Sequence, residues 1–180
     1  MMKEVEINKQ AMLSQHFSLG ELTKTSYHPI DGNIPNRVAI ENMINLCENW
    51  LEELRESYNK LYVMRNEKLE MRNDDYLATE NSSKEEPIII NSGFRSEEVN
   101  RLCGGATNSN HLTGCAVDIR CKDKAQAIRY GCILLDIADE KKKDLASGAD
   151  FDELILEKRG TTIWVHFAVR PRGNRRYVDF

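Results

Sequence analysis

The sequence predicts an α+β fold: a small antiparallel sheet with helices packed on one face and a cluster of polar side chains on the other. Two patterns lead there. Met43, Leu46, Cys47, Trp50, Leu51, Leu54 and Tyr58 recur at helical spacing and mark one long amphipathic helix. In residues 116–119 and 163–168 the side chains instead alternate between faces, with Val117, Ile119, Val165 and Phe167 on one and Asp118 and His166 on the other, the two-residue period of strands.

The remaining elements follow in chain order. Ser18-Leu19-Gly20-Glu21 is a capping box flanked by Phe17 and Leu22, so a short helix starts there. A turn-rich stretch from Pro29 to Pro35 separates it from the long helix. Residues 65–86 are dense in Asn, Asp, Glu, Lys and Ser, with only scattered Leu69, Met71 and Tyr76. They read as an exposed insertion whose first part extends the helix and whose residues 81–86 form a mobile loop. The β-branched run Ile88-Ile89-Ile90 after Pro87 predicts a buried, central strand. Ser96 with Glu97 and Glu98 starts a short helix that Gly104-Gly105 ends. Asp123-x-x-Gln126 caps a longer one, with Ile128, Ile133 or Leu134, and Ile137 toward the core and Lys141-Lys142-Lys143 at its C-terminal end. Residues 151–157 and 161–168 form a hairpin around Arg159-Gly160. A tight turn there sets Glu153 opposite His166 and Glu157 opposite Thr162, both acids on the face of His166.

A chain of 180 residues with 41% hydrophobic content can bury one core without disulfides. Its net charge of -4 argues against general nucleic-acid binding, and its longest apolar run, near 130–135, is far too short to span a bilayer. The start, Met1-Met2-Lys3-Glu4-Val5-Glu6, lacks the apolar core of a secretory signal, so synthesis in the cytoplasm is expected. The five cysteines, Cys47, Cys103, Cys115, Cys121 and Cys132, form no C-x-x-C pair and are odd in number, which favours reduced thiols. Cys115 falls on the face of Val117 and reads as packing.

His111, Asp118 and His166 stand out chemically. The chain has four histidines, and two of them fall in the segments Ser109-Asn110-His111-Leu112-Thr113-Gly114-Cys115-Ala116-Val117-Asp118 and Trp164-Val165-His166. Gly114 permits a sharp turn after His111. Asp118 then shares a strand face with the small Ala116, which leaves room for a metal, while Val117 and Ile119 point to the core. His166 shares its face with Trp164 and Ala168. Two imidazoles and a carboxylate suit zinc, and a three-ligand set leaves a position open for water, which points to hydrolysis rather than to a structural metal.

The ordered set Ser109-x-His111-x-x-Gly114-x-Ala116-x-Asp118 followed by Trp164-x-His166 resembles the zinc D-alanyl-D-alanine carboxypeptidases that cleave peptidoglycan peptides, VanY-like enzymes with compact, phage-type members. Ser92-Gly93-Phe94-Arg95-Ser96, Asn100, Gly104-Gly105 and Asn108-Ser109 resemble that family's stretch before the first histidine, and Phe17-Ser18-Leu19 its compact members' start. The resemblance runs from Phe17 to Arg170. It implies an N-terminal extension over 1–16, a zinc peptidase domain over 17–170 interrupted by the polar insertion at 65–86, and a basic tail over 171–180, with the zinc on the sheet face opposite the helices.

Cutting a peptide bond also needs a carboxylate to take a proton from water and return it to the leaving amine. Several family members carry an acid three positions before the last histidine, where this chain has Ile163. Glu157 resembles the acid that closes the preceding strand in compact members, whose motif reads like Phe151-Asp152-x-Leu154-Ile155-x-Glu157, and is the expected base, with Asp152 and Glu153 in reserve. Arg95, after a Ser-Gly turn, is expected to hold the substrate's carboxylate or a developing oxyanion. Ser109 is expected to orient substrate or His111, and Trp164 to line the substrate site beside them. The expected activity is hydrolysis within or at the end of peptidoglycan stem peptides, by a monomer that reaches the wall after release or delivery. A non-catalytic zinc-containing binding module is the alternative, kept open by Ile163.

Overall fold

The computed structural model describes residues 8–70, 85–143 and 149–180. Residues 1–7 of the expected extension and 71–84 of the expected insertion lie outside them. Residues 8–16 pack onto the domain: Met12 bridges to Ser18, Leu13 is buried, and Ser14 and His16 bond to Glu52.

Ser18 caps helix α1 (Leu19–Leu22), its hydroxyl accepting the Glu21 amide while the Glu21 carboxylate accepts the Ser18 amide, a complete capping box. Asn36 caps α2 (Arg37–Leu46), which runs through a π-helical turn at Cys47–Leu51 into α3 (Glu52–Glu70). The residues predicted at helical spacing from Met43 to Tyr58 all line the core. Residues 65–70 continue the helix, and Glu85 and Glu86 are tied down where the chain re-emerges: Glu85 pairs with Arg55, and the Glu86 amide donates to Asn59 Oδ1 at 2.9 Å.

Five strands follow, in the sheet order β1-β2-β4-β3-β5. They are β1 (Ile90–Ser92), β2 (Ala116–Cys121), β3 (Glu153–Arg159), β4 (Thr162–Ala168) and β5 (Tyr177–Asp179), antiparallel except for the parallel β3–β5 pair. Val117, Ile119 and Cys121 of β2, Ile163, Val165 and Phe167 of β4 and Leu154 of β3 are buried in one core cluster with the helices. Phe167 packs within it, with ring centroids 5.3 Å from Trp50 and 5.8 Å from Phe151. Helix α4 (Glu97–Leu102) is capped by Ser96, and α5 (Lys124–Lys143) opens with the Gln126 amide donating to Asp123.

Four expectations are corrected. The β1 strand is short and at the sheet edge, not central: Ile88 and Ile90 are buried but Ile89 is 44% exposed, so the isoleucine run alternates rather than facing two layers. Ile128 is 49% exposed. It lies six residues before Leu134, about a third of a turn off the buried face, whereas Ala127 sits on it. The hairpin register is shifted by two: Arg159 pairs with Thr162, Glu157 with Trp164, Ile155 with His166 and Glu153 with Ala168. Gly160, at φ +61°, opens the two-residue loop Gly160-Thr161, a left-handed position that a glycine takes without strain and an arginine would not. A shift of two preserves the faces, so both glutamates stay on the side of His166.

The fourth concerns 171–180, expected as a basic tail. Tyr177–Asp179 adds β5 to the sheet beside β3, and the Arg176 and Tyr177 amides donate to the Phe151 and Asp152 carbonyls at 3.1 and 2.9 Å. Arginines of this basic stretch are paired with acids. Arg175 pairs with Asp152 and Glu153, and Arg176 with Asp139 and Asp150.

Candidate metal centre

The polar face of the sheet and the 3-10 turn Asn110–Thr113 enclose a cleft of about 530 Å³ that Arg95, Ser109, Glu153, Glu157, Trp164 and His166 help to line. The turn exists because Ser109 caps it, its hydroxyl accepting the His111 amide at 3.3 Å, and because Gly114 ends it at φ +71°. A Cβ at Gly114 would also come within 2.4 Å of the Ala39 carbonyl oxygen, so the residue is required twice over. From this turn His111 projects inward and is buried, and Asp118 on β2 lies directly opposite His166 on β4.

One ligand atom from each of His111, Asp118 and His166 lies within 4.8 Å of the others. Asp118 Oδ1 is the meeting point, 3.3 Å from His111 Nε2 and 2.9 Å from His166 Nδ1. The outward ring nitrogens are both engaged. His111 Nδ1 meets the Gly93 carbonyl at 2.6 Å, and because a carbonyl can only accept, Nδ1 is the donor, so that in the neutral ring the Nε2 lone pair is the one turned toward Asp118. His166 Nε2 lies 3.3 Å from Glu153 Oε2. The second Asp118 oxygen takes a hydrogen bond from Arg95 Nη2, and Arg95 Nε donates to Ser92 Oγ at 2.8 Å. Two inward imidazole nitrogens and one carboxylate oxygen, with the far side of each ring held by an acceptor, form a donor set and orientation that suit a metal such as zinc.

The charges reflect this crowding. Burial works against ionised Asp118, but His111 and His166 outweigh it and hold the carboxyl well below the usual range. Burial likewise favours a neutral His166, yet the carboxylates of Asp118 and Glu153 push it up to about 9. Glu153 is pulled down to about 2, first by the His166 hydrogen bond and, against burial, by Asn110 and Arg175 as well.

The three carboxylates considered as bases sit in different surroundings. Asp152 is fully buried and saturated by Arg170, Arg175 and Asn110, which overcome burial and keep it ionised far below the usual range. Glu153 is engaged by His166, Asn110 and Arg175. Glu157 receives a hydrogen bond from the Trp164 indole N–H alone among the described residues and faces the cleft. Ile163 is buried on the core side of β4. In a continuous strand the third residue before His166 lies on the opposite face, so an acid there would point away from the cleft.

Sequence reasoning missed Asn110, which bridges Asp152 and Glu153 at 2.8 and 2.9 Å, the Gly93 carbonyl, and Arg175. Asn110 sits inside the histidine motif, so its place was visible although its partners were not. Arg175 was hidden in the supposed tail.

The sequence profile described as Peptidase M15 matches residues 15–132. The matched stretch holds Arg95, Ser109, His111 and Asp118 and ends before Glu153, Glu157, Trp164 and His166. Among curated proteins, none matches this chain. With most of its length matched, the chain belongs to the peptidase M15 family, which includes zinc D-Ala-D-Ala carboxypeptidases and whose members are typically zinc-dependent.

Proposed function

We propose that this M15 peptidase is a zinc enzyme that hydrolyses peptide bonds in peptidoglycan stem peptides, as a D,D-carboxypeptidase or an endopeptidase in wall lysis or remodelling. The observation that carries the reading is the convergence of His111, Asp118 and His166 within 4.8 Å at the floor of an open cleft, with both outward ring nitrogens already engaged. Zinc, when bound there, supplies Lewis-acid polarisation of the scissile carbonyl and activation of water.

The chain's own residues supply the rest. Glu157 takes the proton from water and returns it to the leaving amine, and the Trp164 indole N–H orients its carboxylate. It pairs with Trp164, two residues from His166, and so lies on the cross-strand diagonal from His166, roughly 7–8 Å away, which leaves space for the scissile bond between them. Asp152 and Glu153 are poor candidates, since several donors occupy their oxygens and lower their basicity. Arg95 spends Nη2 on Asp118 and Nε on Ser92, which leaves Nη1 without a partner among the described residues and able to hold a substrate carboxylate or a developing oxyanion. Ser109 acts indirectly, by capping the turn that presents His111.

Peptide trimming at a wall polymer also fits the resemblance to compact, phage-type enzymes, with a monomer that meets its substrate after release or delivery. The decisive experiment is mass spectrometry of purified peptidoglycan fragments after incubation with zinc-loaded protein. Release of D-alanine identifies a carboxypeptidase, and cleavage within the stem an endopeptidase. No product from any fragment, with zinc and peptide binding intact, would replace this reading by a non-catalytic binding module.

A further inference from the structure

The two histidines of the centre are held in different ways. His111 is oriented by backbone, through the Gly93 carbonyl. His166 turns Nδ1 to Asp118 and Nε2 outward to a side chain, the carboxylate of Glu153 on the neighbouring strand. A neutral imidazole that offers Nδ1 to a metal must carry its proton on Nε2, and that N–H needs an acceptor to fix the tautomer and the ring plane. A flexible glutamate does this well only if it is itself held. Asn110 Nδ2 donates to the same Glu153 oxygen at 2.9 Å, and Arg175 Nη2 pairs with the other. Arg175 also fixes buried Asp152, through its backbone amide at 3.0 Å, Nε at 2.9 Å and Nη2 at 2.9 Å. One guanidinium thus spans two adjacent carboxylates, and the segment bearing it is anchored by the pairing of β5 with β3, Tyr177 opposite Glu153.

We propose that Glu153 is the positioning residue of the metal centre, accepting the outer N–H of His166, and that Arg175 in the C-terminal segment clamps it in place. The inference rests on the reading of His111, Asp118 and His166 as the metal ligands. It assigns β5 and the residues before it a part in metal retention, although they contribute no ligand and lie outside the matched family region.

The test uses metal affinity and ring tautomer, measured on the full chain by chelator competition with zinc and by nitrogen-15 correlation spectra of the imidazoles. Glu153→Ala is expected to weaken zinc by a factor of about 10 to 100 and to lose the protected Nε2 proton of His166. Glu153→Gln, which keeps an acceptor oxygen, should recover most of both, and Arg175→Ala should fall between them. Thermal melting of the metal-free variants shows that each is folded. If zinc is lost from His111→Ala but a folded Glu153→Ala binds zinc as tightly as the parent with its tautomer signal unchanged, the positioning role is overturned while the metal centre stands. If His111→Ala itself retains full affinity, the ligand set is wrong and this inference falls with it.

Discussion

Asp118 and Asp152 are two buried aspartates with opposite fates. Each is held ionised by several partners against the cost of burial. Asp152 is surrounded by Arg170, Arg175 and Asn110, groups that only donate at this site and never lose their charge or dipole, so its charge is fully spent on holding the C-terminal segment to β3. Asp118 has one arginine, but its other partners are histidines. An imidazole can give up its proton and turn a lone pair inward, so the same crowding that stabilises a salt-bridge cluster in one place gives a candidate metal centre in the other. The difference lies in partner chemistry, not in depth.

The largest effects should come from removing that partner chemistry. His111→Ala and His166→Ala are each expected to abolish both tight zinc retention and hydrolysis, with about one zinc per chain in the parent, as metal analysis after dialysis would show. Asp152→Ala should behave in the opposite way. Its cost should fall on folding, at the low end of ~3–5 kcal/mol because Arg175 is more than half exposed and can rehydrate, which denaturant titration of the metal-free protein measures. Equal loss of zinc in all three variants, with stability unchanged in Asp152→Ala, would erase the distinction.

A smaller effect separates chemistry from binding. Glu157→Gln should leave the fold and zinc in place and lower turnover by a factor of ~100 or more, because the amide keeps the shape but cannot accept the proton. Near-normal turnover would remove Glu157 from the reaction. Smaller again is Arg95→Lys, which keeps the charge and loses the planar fork. Activity should fall about 10-fold on peptides ending in a free carboxylate and less on amidated ones, and equal losses would point to the oxyanion instead.

The pH dependence sharpens the contrast without mutation. His166 is raised from 6.5 to about 9 in the metal-free fold, so its ion pairs contribute stability that is fully present below about 6.5 and disappears as pH rises through about 9. Melting temperatures of the metal-free protein should decline across that window, and those of His166→Gln should lack that part of the decline. Zinc requires the neutral ring, so its affinity should rise over the same interval. The Asp152 cluster has no such dependence there, because its carboxyl is lowered and its partners remain charged.

Much of this was legible in the chain before the structure. Alternation in 116–119 and 163–168 assigned Asp118 and His166 to one face, since a strand's two-residue period survives any even error in register. The hairpin shows the limit. Its turn was placed one residue early, which moved the partners of Glu153 and Glu157 by two positions but left both acids on the correct side. Ile128 and the edge position of β1 were misjudged because apolar composition reports burial only when the neighbouring layer is known.

What the sequence determined by itself were local quantities: the capping box and the other helix caps, the apolar stripe of the long helix, the faces of β2 and β4, and the histidine and aspartate spacing that defines the candidate ligands. These depend on backbone periods and on contacts a few residues apart, which residue types encode directly. Only the tertiary structure separated the surroundings of the three carboxylates. Asp152, Glu153 and Glu157 lie within one strand and its lead-in, and look interchangeable in sequence. They are distinguished by Asn110, His166 and the arginines at 170 and 175, partners reached only after the chain has paired β3 with β4 and returned to lay β5 alongside. A carboxylate's charge state and availability are set by the donors around it in space, and no local rule reports those.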